Sequence, residues 1–170
     1  GVCDRNSVAG VVRAHCALKA LRESGLPPGA TIRDSGGMGM VSHVPAEPLE
    51  MDADLVMKRA ADFKLAVGAR LVFEDATADV AALPVNREGW GRLCRLLTLG
   101  KRRARKGECS LRLTDLLFEA RDMLLIALPH ADPSPQFLAQ LNEACPGEVW
   151  LGATMHRRGD DRRRLAQFAQ

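Results

Sequence analysis

The chain has 170 residues and a mass of 18.5 kDa, with 46% hydrophobic and 26% charged residues. That is the make-up of one globular domain, and it excludes a mostly disordered chain, a collagen-like chain and a coiled coil. No window approaches the roughly 18 consecutive apolar residues of a membrane helix, and a net charge of +3 does not by itself mark a nucleic-acid binder.

Gly1 to Asp4 reads as the tail of a strand, with no charged or long apolar segment of the kind a signal peptide carries. Asn6 or Ser7 is placed to cap a helix by offering a side-chain oxygen to free backbone N–H groups. Val8, Val11, Val12, His15, Leu18 and Leu21 recur at three- and four-residue intervals, which predicts one buried helical face. Gly25 and then Pro27-Pro28 stop that helix. Residues 26–50 are broken by Gly29, Gly36, Gly37, Gly39, Pro45 and Pro48 and predict a long irregular loop. The Gly37-Met38-Gly39 stretch is no phosphate loop, because the Gly-Lys-Ser/Thr ending is missing.

A helical pattern returns over Met51–Asp62. Lys64–Glu74 then reads as a strand or strand pair, and Val80–Val85 as a second short strand. Asn86 is placed to cap a helix whose apolar face is Trp90, Leu93, Cys94, Leu96 and Leu97, ending near Gly100. A short extended piece over Ser110–Leu113 leads to a short helix capped by Thr114. Met123–Leu128 is a continuous apolar run of strand length, as expected of a strand buried on both faces. Phe137, Leu138, Leu141 and Ala144 form a helix face, Glu148–Thr154 is a further strand, and a last helix begins at Asp161. Alternation of this kind predicts an α/β fold with a mostly parallel sheet or barrel. With aromatics at 4% and no Tyr, its core must come from Leu, Val, Ala and Met. The chain opens at a strand end and closes inside a helix, which predicts a domain incomplete at both ends.

The charges are clustered although their sum is small. Lys101, Arg102, Arg103, Arg105 and Lys106 form one basic run, suited to contacting phosphate through charge or to capping a solvated helix end. Arg157, Arg158, Arg162, Arg163 and Arg164 form a second, interrupted by Asp160 and Asp161. The five cysteines are odd in number, widely spaced and without a Cys-x-x-Cys pair, which argues against a zinc site or disulfide framework and for reduced thiols. Cys16 and Cys94 fall in apolar helical patterns and are expected to pack as small hydrophobes.

Among the histidines, His15 reads as a packed or capping helix residue and His43 as an exposed loop residue. His130 and His156 follow strands, as Asp4 ends one, and functional groups in α/β sheets gather at the carboxyl ends of strands. Three such residues on one rim would suffice for a metal with an open position, although the spacing does not require it. No nucleophile–base motif is present.

Three segments carry a resemblance: Asp4-Arg5-Asn6-Ser7-Val8-Ala9-Gly10-Val11-Val12-Arg13-Ala14-His15, then Val67-Gly68-Ala69-Arg70-Leu71-Val72-Phe73, then Gly89 to Arg103 followed by Lys106-Gly107-Glu108-Cys109. In this order the chain resembles the amino-terminal PHP (polymerase and histidinol phosphatase) domain of bacterial error-prone DNA polymerases, C-family enzymes related to the replicative polymerase III alpha subunit. The resemblance covers most of 1–24 and 64–170, with 25–63 standing as an insertion or irregular loop. It implies a PHP-type distorted β/α barrel, TIM-like and incomplete at both ends, so that 1–170 is a partial PHP domain.

The family's metal-binding rim is only partly matched. Its His-x-His motif is absent, and Asp4 keeps an acidic position while Arg5 stands where a histidine is expected. Arg70 stands where an acidic ligand follows the Val-Gly of the next strand, and His156 falls near a ligand histidine. The resemblance thus implies Asp4 and His156 as surviving ligands of a degenerate site that binds metal weakly or not at all; the alternative expectation is that Arg5 and Arg70 occupy the vacated pocket and pair with Asp4. Residual Zn or Mn at the rim and Mg in the parent polymerase are the cofactors it allows.

The implied function is a scaffold domain of a cytoplasmic translesion polymerase whose polymerising carboxylates lie outside this chain. DNA, contacted through Lys101, Arg102, Arg103, Arg105 and Lys106, and other domains of the same polymerase are the implied partners. Accessory translesion proteins and the sliding clamp are further ones, and no membrane is involved. The competing expectation is a metal-dependent PHP phosphoesterase or proofreading exonuclease.

Overall fold

The computed structural model describes residues 1–25, 53–75, 77–129, 134–153, 155, 157 and 159–168. Its contacts divide the chain into two units, Gly1–Gly10 with Ala66–Gln170, and Val11–Leu65. The Gly37–Gly39 stretch, His43, His130, Arg158 and His156 lie outside the described residues, and so does the side chain of Arg164.

The larger unit is built on a five-stranded sheet, β1 (Val2–Arg5), β2 (Val67–Leu71), β3 (Asp79–Pro84), β4 (Met123–Leu128) and β5 (Val149–Leu151), in that spatial order. β1 and β2 are parallel, as are β4 and β5, but β3 runs antiparallel to both its neighbours. The sheet is therefore mixed rather than mostly parallel, and its described strands do not close into a barrel.

Connection lengths explain β3. Only residues 72–78 separate β2 from β3, too few for the dozen or more that a parallel crossover needs. Between β3 and β4 the chain makes two helices, α3 (Arg87–Arg103) and α4 (Leu113–Glu119). One helix carries it away and the other returns it, so Pro84 pairs with Met123 and Val85 N donates to Asp122 O at 3.0 Å.

Leu71, Val80, Leu93, Leu96, Leu111, Leu116, Met123, Leu125 and Leu141 are fully buried between the sheet and α3, α4 and α5 (Pro135–Ala144). Burial of this aliphatic surface is the main force holding the layers together. Only one face of β4 is closed. Met123, Leu125 and Ala127 are buried, while Leu124, Ile126 and Leu128 on the other face are half-buried. A strand covered on both faces is thus not what forms.

Helix entry follows side-chain chemistry. Asn86 Oδ1 accepts from Gly89 N at 2.8 Å and caps α3 as expected. Thr114 does not cap α4, which begins one residue earlier. The carboxylate of Asp115 reaches back instead to accept from Arg112 N at 2.9 Å. The last helix, α6 (Asp161–Phe168), opens on Asp161, which accepts from Arg157 N at 2.7 Å.

The smaller unit holds most of α1 (Ala9–Ser24) and α2 (Ala53–Asp62). Arg22 donates from Nε to Ala60 O at 2.9 Å and from Nη2 to Phe63 O at 2.8 Å. It thereby satisfies carbonyls at the carboxyl end of α2, where a cation is also favoured by the helix dipole. Leu18 and Ala60 are buried. The expected apolar face of α1 is only partly realised: Val12 is 67% exposed, and His15 and Cys16 are exposed. Within this unit, the described partner of α1 is a ten-residue helix, too short to cover the whole stripe.

Candidate nucleic-acid interface

The site is assembled where β1 ends and α3 ends. After Arg5 the chain turns at Asn6, whose φ is 45°. Asn6 does not cap a helix. Its Nδ2 donates to Val72 O at 3.0 Å, its Oδ1 accepts from Val72 N at 2.7 Å, and its own N–H donates to Arg70 O at 2.9 Å. It extends the β1–β2 pairing with a side chain that imitates a strand. The α1 entry is capped instead by Ser7 Oγ, accepting from Ala9 N at 3.1 Å, and by Asp4 Oδ2, accepting from Gly10 N at 2.5 Å.

At the other side, α3 closes with Lys101, Arg102 and Arg103 in its last turn, where cations complement the dipole. The chain then folds back along the helix. Ser110 N donates to Gly100 O at 3.0 Å, and a side chain at residue 100 would meet Cys109 Sγ at 2.7 Å and Leu111 Cδ2 at 2.6 Å. The missing Cβ of Gly100 permits this close approach. The return loop brings Arg105 and Lys106 beside Lys101.

The result is a cleft of about 820 Å³ lined by Arg5, Asn6, Ser7, Lys101, Arg105, Lys106, Gly107, Glu108 and Cys109. The lining carries four cations and one carboxylate, Glu108. Among the described residues none of these four cations makes an ion pair. Burial pushes the Cys109 thiol up and the charge of Lys101 opposes that, so the thiol is protonated at neutral pH.

The basic run is therefore divided. Lys101, Arg105 and Lys106 line the cleft. Arg102 lies elsewhere on α3 with Cys94, Arg95, Thr98 and Leu99. Arg103 is held by Asp115 through two bonds, Nη1–Oδ2 at 2.6 Å and Nη2–Oδ1 at 3.1 Å. That pair belongs to a cluster in which Arg112 Nε meets Glu74 Oε1 at 2.5 Å and Ser110 Oγ donates to Glu74 Oε2.

Arg103 holds the Asp115 carboxyl below the usual range, and Arg112 and then Ser110 do the same for Glu74. Groups with depressed pKa values stabilise the fold above their unfolded pKa, and lose that contribution as pH falls through the folded one. The denaturant midpoint is thus expected to drop as pH is lowered below about 4. Asp115→Asn is expected to flatten that drop, measured by urea titration across the acid range.

The expected metal rim is only partly in view. His156 is outside the described residues, so its approach to Asp4 is not described. Asp4 is half-buried with one oxygen committed to Gly10 N, and a Cβ at residue 10 would lie 2.6 and 3.0 Å from its two oxygens. Arg70 does not pair with Asp4. It crosses to β3, where Nε donates to Asp79 Oδ2 at 2.7 Å and Nη2 lies 2.5 Å from the same oxygen. Strand geometry accounts for this: Arg70 sits opposite Ala81, which places Asp79 on the same face two residues along. Arg5 faces the cationic cleft. No group of three metal-ligating side chains occurs among the described residues.

Two residues take places that the sequence patterns do not assign to them: Arg5 lines the cationic cleft, and Asp79 is the partner of Arg70. The signal for Arg5 was its place at the carboxyl end of a strand. For Asp79 it was a lone carboxylate heading the apolar run Val80–Pro84.

No family model matches the chain. The proteins it is similar to include bacterial error-prone DNA polymerases. One is that of Brucella abortus biovar 1 (strain 9-941), with 38% identity over all of this chain and 13% of the relative. The identity is 38% to that of Rhodopseudomonas palustris (strain BisB5), over 99% of this chain and 12% of the relative. It is 42% to that of Ruegeria pomeroyi, over 99% of this chain and 15% of the relative. The chain thus spans about an eighth of the length of the relatives it matches.

Proposed function

We propose that this chain is a PHP-type domain of an error-prone, translesion DNA polymerase, acting as a scaffold that packs against the catalytic core and helps shape the DNA path. The single observation that carries this reading is the similarity over the whole chain to proteins named error-prone DNA polymerase. The fold is compatible with it. β1 and β5 each pair on one side only among the described strands, so a distorted β/α barrel would require further strands at those edges.

Polymerisation by such an enzyme requires paired carboxylates holding Mg²⁺, and in this reading those carboxylates lie in another part of the polymerase. DNA, other domains of the same polymerase and accessory translesion factors are its proposed partners, in the cytoplasm. The rim around Asp4 is proposed to be degenerate. A phosphoesterase or exonuclease would need several ligating side chains gathered about Asp4, one of whose oxygens accepts from Gly10 N.

The test is primer extension past an abasic template site by the longer protein that carries this chain, with Mg²⁺ present. Extension and misinsertion are expected there, and none from the 170-residue chain alone. Metal analysis of the purified chain is expected to find Zn and Mn well below one equivalent. Stoichiometric metal together with phosphodiester hydrolysis would overturn the scaffold reading in favour of a nuclease.

A further inference from the structure

The cleft between β1 and α3 differs from a solvated basic surface in three ways. Its cations come from two elements far apart in sequence, Arg5 on one side and Lys101, Arg105 and Lys106 on the other. None of them is neutralised by an ion pair among the described residues, whereas Arg103, in the same run, is fully engaged by Asp115. The lining also contains no aromatic side chain and one carboxylate. A metal ion is disfavoured by that charge, and a stacked nucleobase lacks the aromatic platform that single-strand base binders use.

We infer that this cleft seats the phosphodiester backbone of a DNA strand without reading its sequence, with Arg5, Lys101, Arg105 and Lys106 as the phosphate contacts. Charge-assisted bonds from these side chains hold the phosphate oxygens. Ser7 adds a neutral donor. Its Oγ accepts from Ala9 N and keeps its own O–H for a phosphate oxygen. The carboxyl end of α3 is the negative end of its dipole, so phosphates are held by the side chains and not by that helix's backbone. Arg102 and Arg103 are outside the contact set. The inference rests on the polymerase reading only in taking DNA as the polyanion.

The experiment is fluorescence anisotropy of the 170-residue chain with a labelled oligothymidylate and a matched duplex, over a salt series. Each phosphate contact adds about 0.7 to the salt slope of log K for a single strand and about 0.9 for a duplex. Lys101→Gln/Arg105→Gln/Lys106→Gln is expected to cut the single-strand slope by about 2 and to weaken binding at least about tenfold at moderate salt. Arg5→Gln alone is expected to remove about 0.7 of slope, and Arg102→Gln to leave slope and affinity unchanged. All the substituted side chains are exposed, and circular dichroism checks that the fold is retained.

An unchanged slope in the triple variant overturns the proposal. So does an Arg102→Gln effect as large as that of Arg5→Gln, which would mean diffuse charge rather than a site. Polyglutamate competing as well as DNA of equal charge would overturn it in favour of an acidic protein segment. Primer extension by the longer protein separates the two readings. Extension without cleft-dependent binding removes the cleft alone, and cleft-dependent binding without extension removes the polymerase reading alone.

Discussion

Replacing Gly89 by Ala is expected to destabilise the larger unit by about 2–4 kcal/mol, although the residue lies in a helix. Helix propensity alone predicts the opposite, a gain of about 0.8–1.0 kcal/mol. Packing decides the sign. Gly89 is buried in the first turn of α3, and a Cβ there would overlap the carbonyl oxygen of Asp122 and lie 2.9 Å from its carbonyl carbon. That carbonyl accepts from Val85 N and joins the end of β3 to the start of β4. The same glycine donates its N–H to the Asn86 cap. The clash therefore strains a cap, a helix start and a strand junction together. Gly91→Ala is the control. Its Cβ would meet only the flexible Arg95 guanidinium, at 3.6 Å, and the variant should be neutral or stabilised by up to about 1 kcal/mol. Urea midpoints of the two variants check the sign; equal effects would show that the Asp122 contact yields freely.

The order of strands and helices was legible because each element declares itself locally. Val8 to Leu21 recurs at helical spacing, Met123–Leu128 is a short apolar run, and Asn86 stands where an α3 cap is needed. Strand direction was less legible, because α/β alternation suggests crossovers throughout. The seven residues between β2 and β3 were the contrary signal. Burial of α1 depends on what packs against it, which no periodicity within α1 reveals, and so His15 and Cys16 prove exposed.

The site was legible as a composition and not as a surface. Five cations among the six residues Lys101–Lys106 say that charge is concentrated. They do not say that Arg103 turns to Asp115, that Arg102 faces away, or that Arg5 joins from nearly a hundred residues upstream. Those facts depend on the return loop after Gly100 and on the parallel pairing of β1 with β2, both long-range. The same dependence separates Arg70 from Asp4. In a sequence motif Arg70 is a cation at a ligand position, and in the sheet it is one half of a cross-strand pair.

That pair gives the second large effect. The Asp79 side chain is 9% exposed and that of Arg70 45% exposed, so the carboxylate is desolvated while its partner is not. Removing only the cation, as in Arg70→Met, leaves a buried charge without its counter-ion. A fully buried pair would then lose about 3–5 kcal/mol; half-exposure of the guanidinium reduces the expected loss to about 2–3 kcal/mol. Removing both charges is different in kind. Arg70→Met/Asp79→Leu places apolar groups on β2 and at the start of β3, where Asp79 is paired with Leu128, and most of the loss should be recovered. The double-mutant cycle, read by urea denaturation, is expected to show a coupling of about 2 kcal/mol. Additive losses would mean that the two residues act separately. A structural pair also predicts that the double variant keeps the salt slope of DNA binding unchanged, because neither residue lines the cationic cleft. A changed slope with stability restored would place Arg70 among the DNA contacts and return it to a functional role.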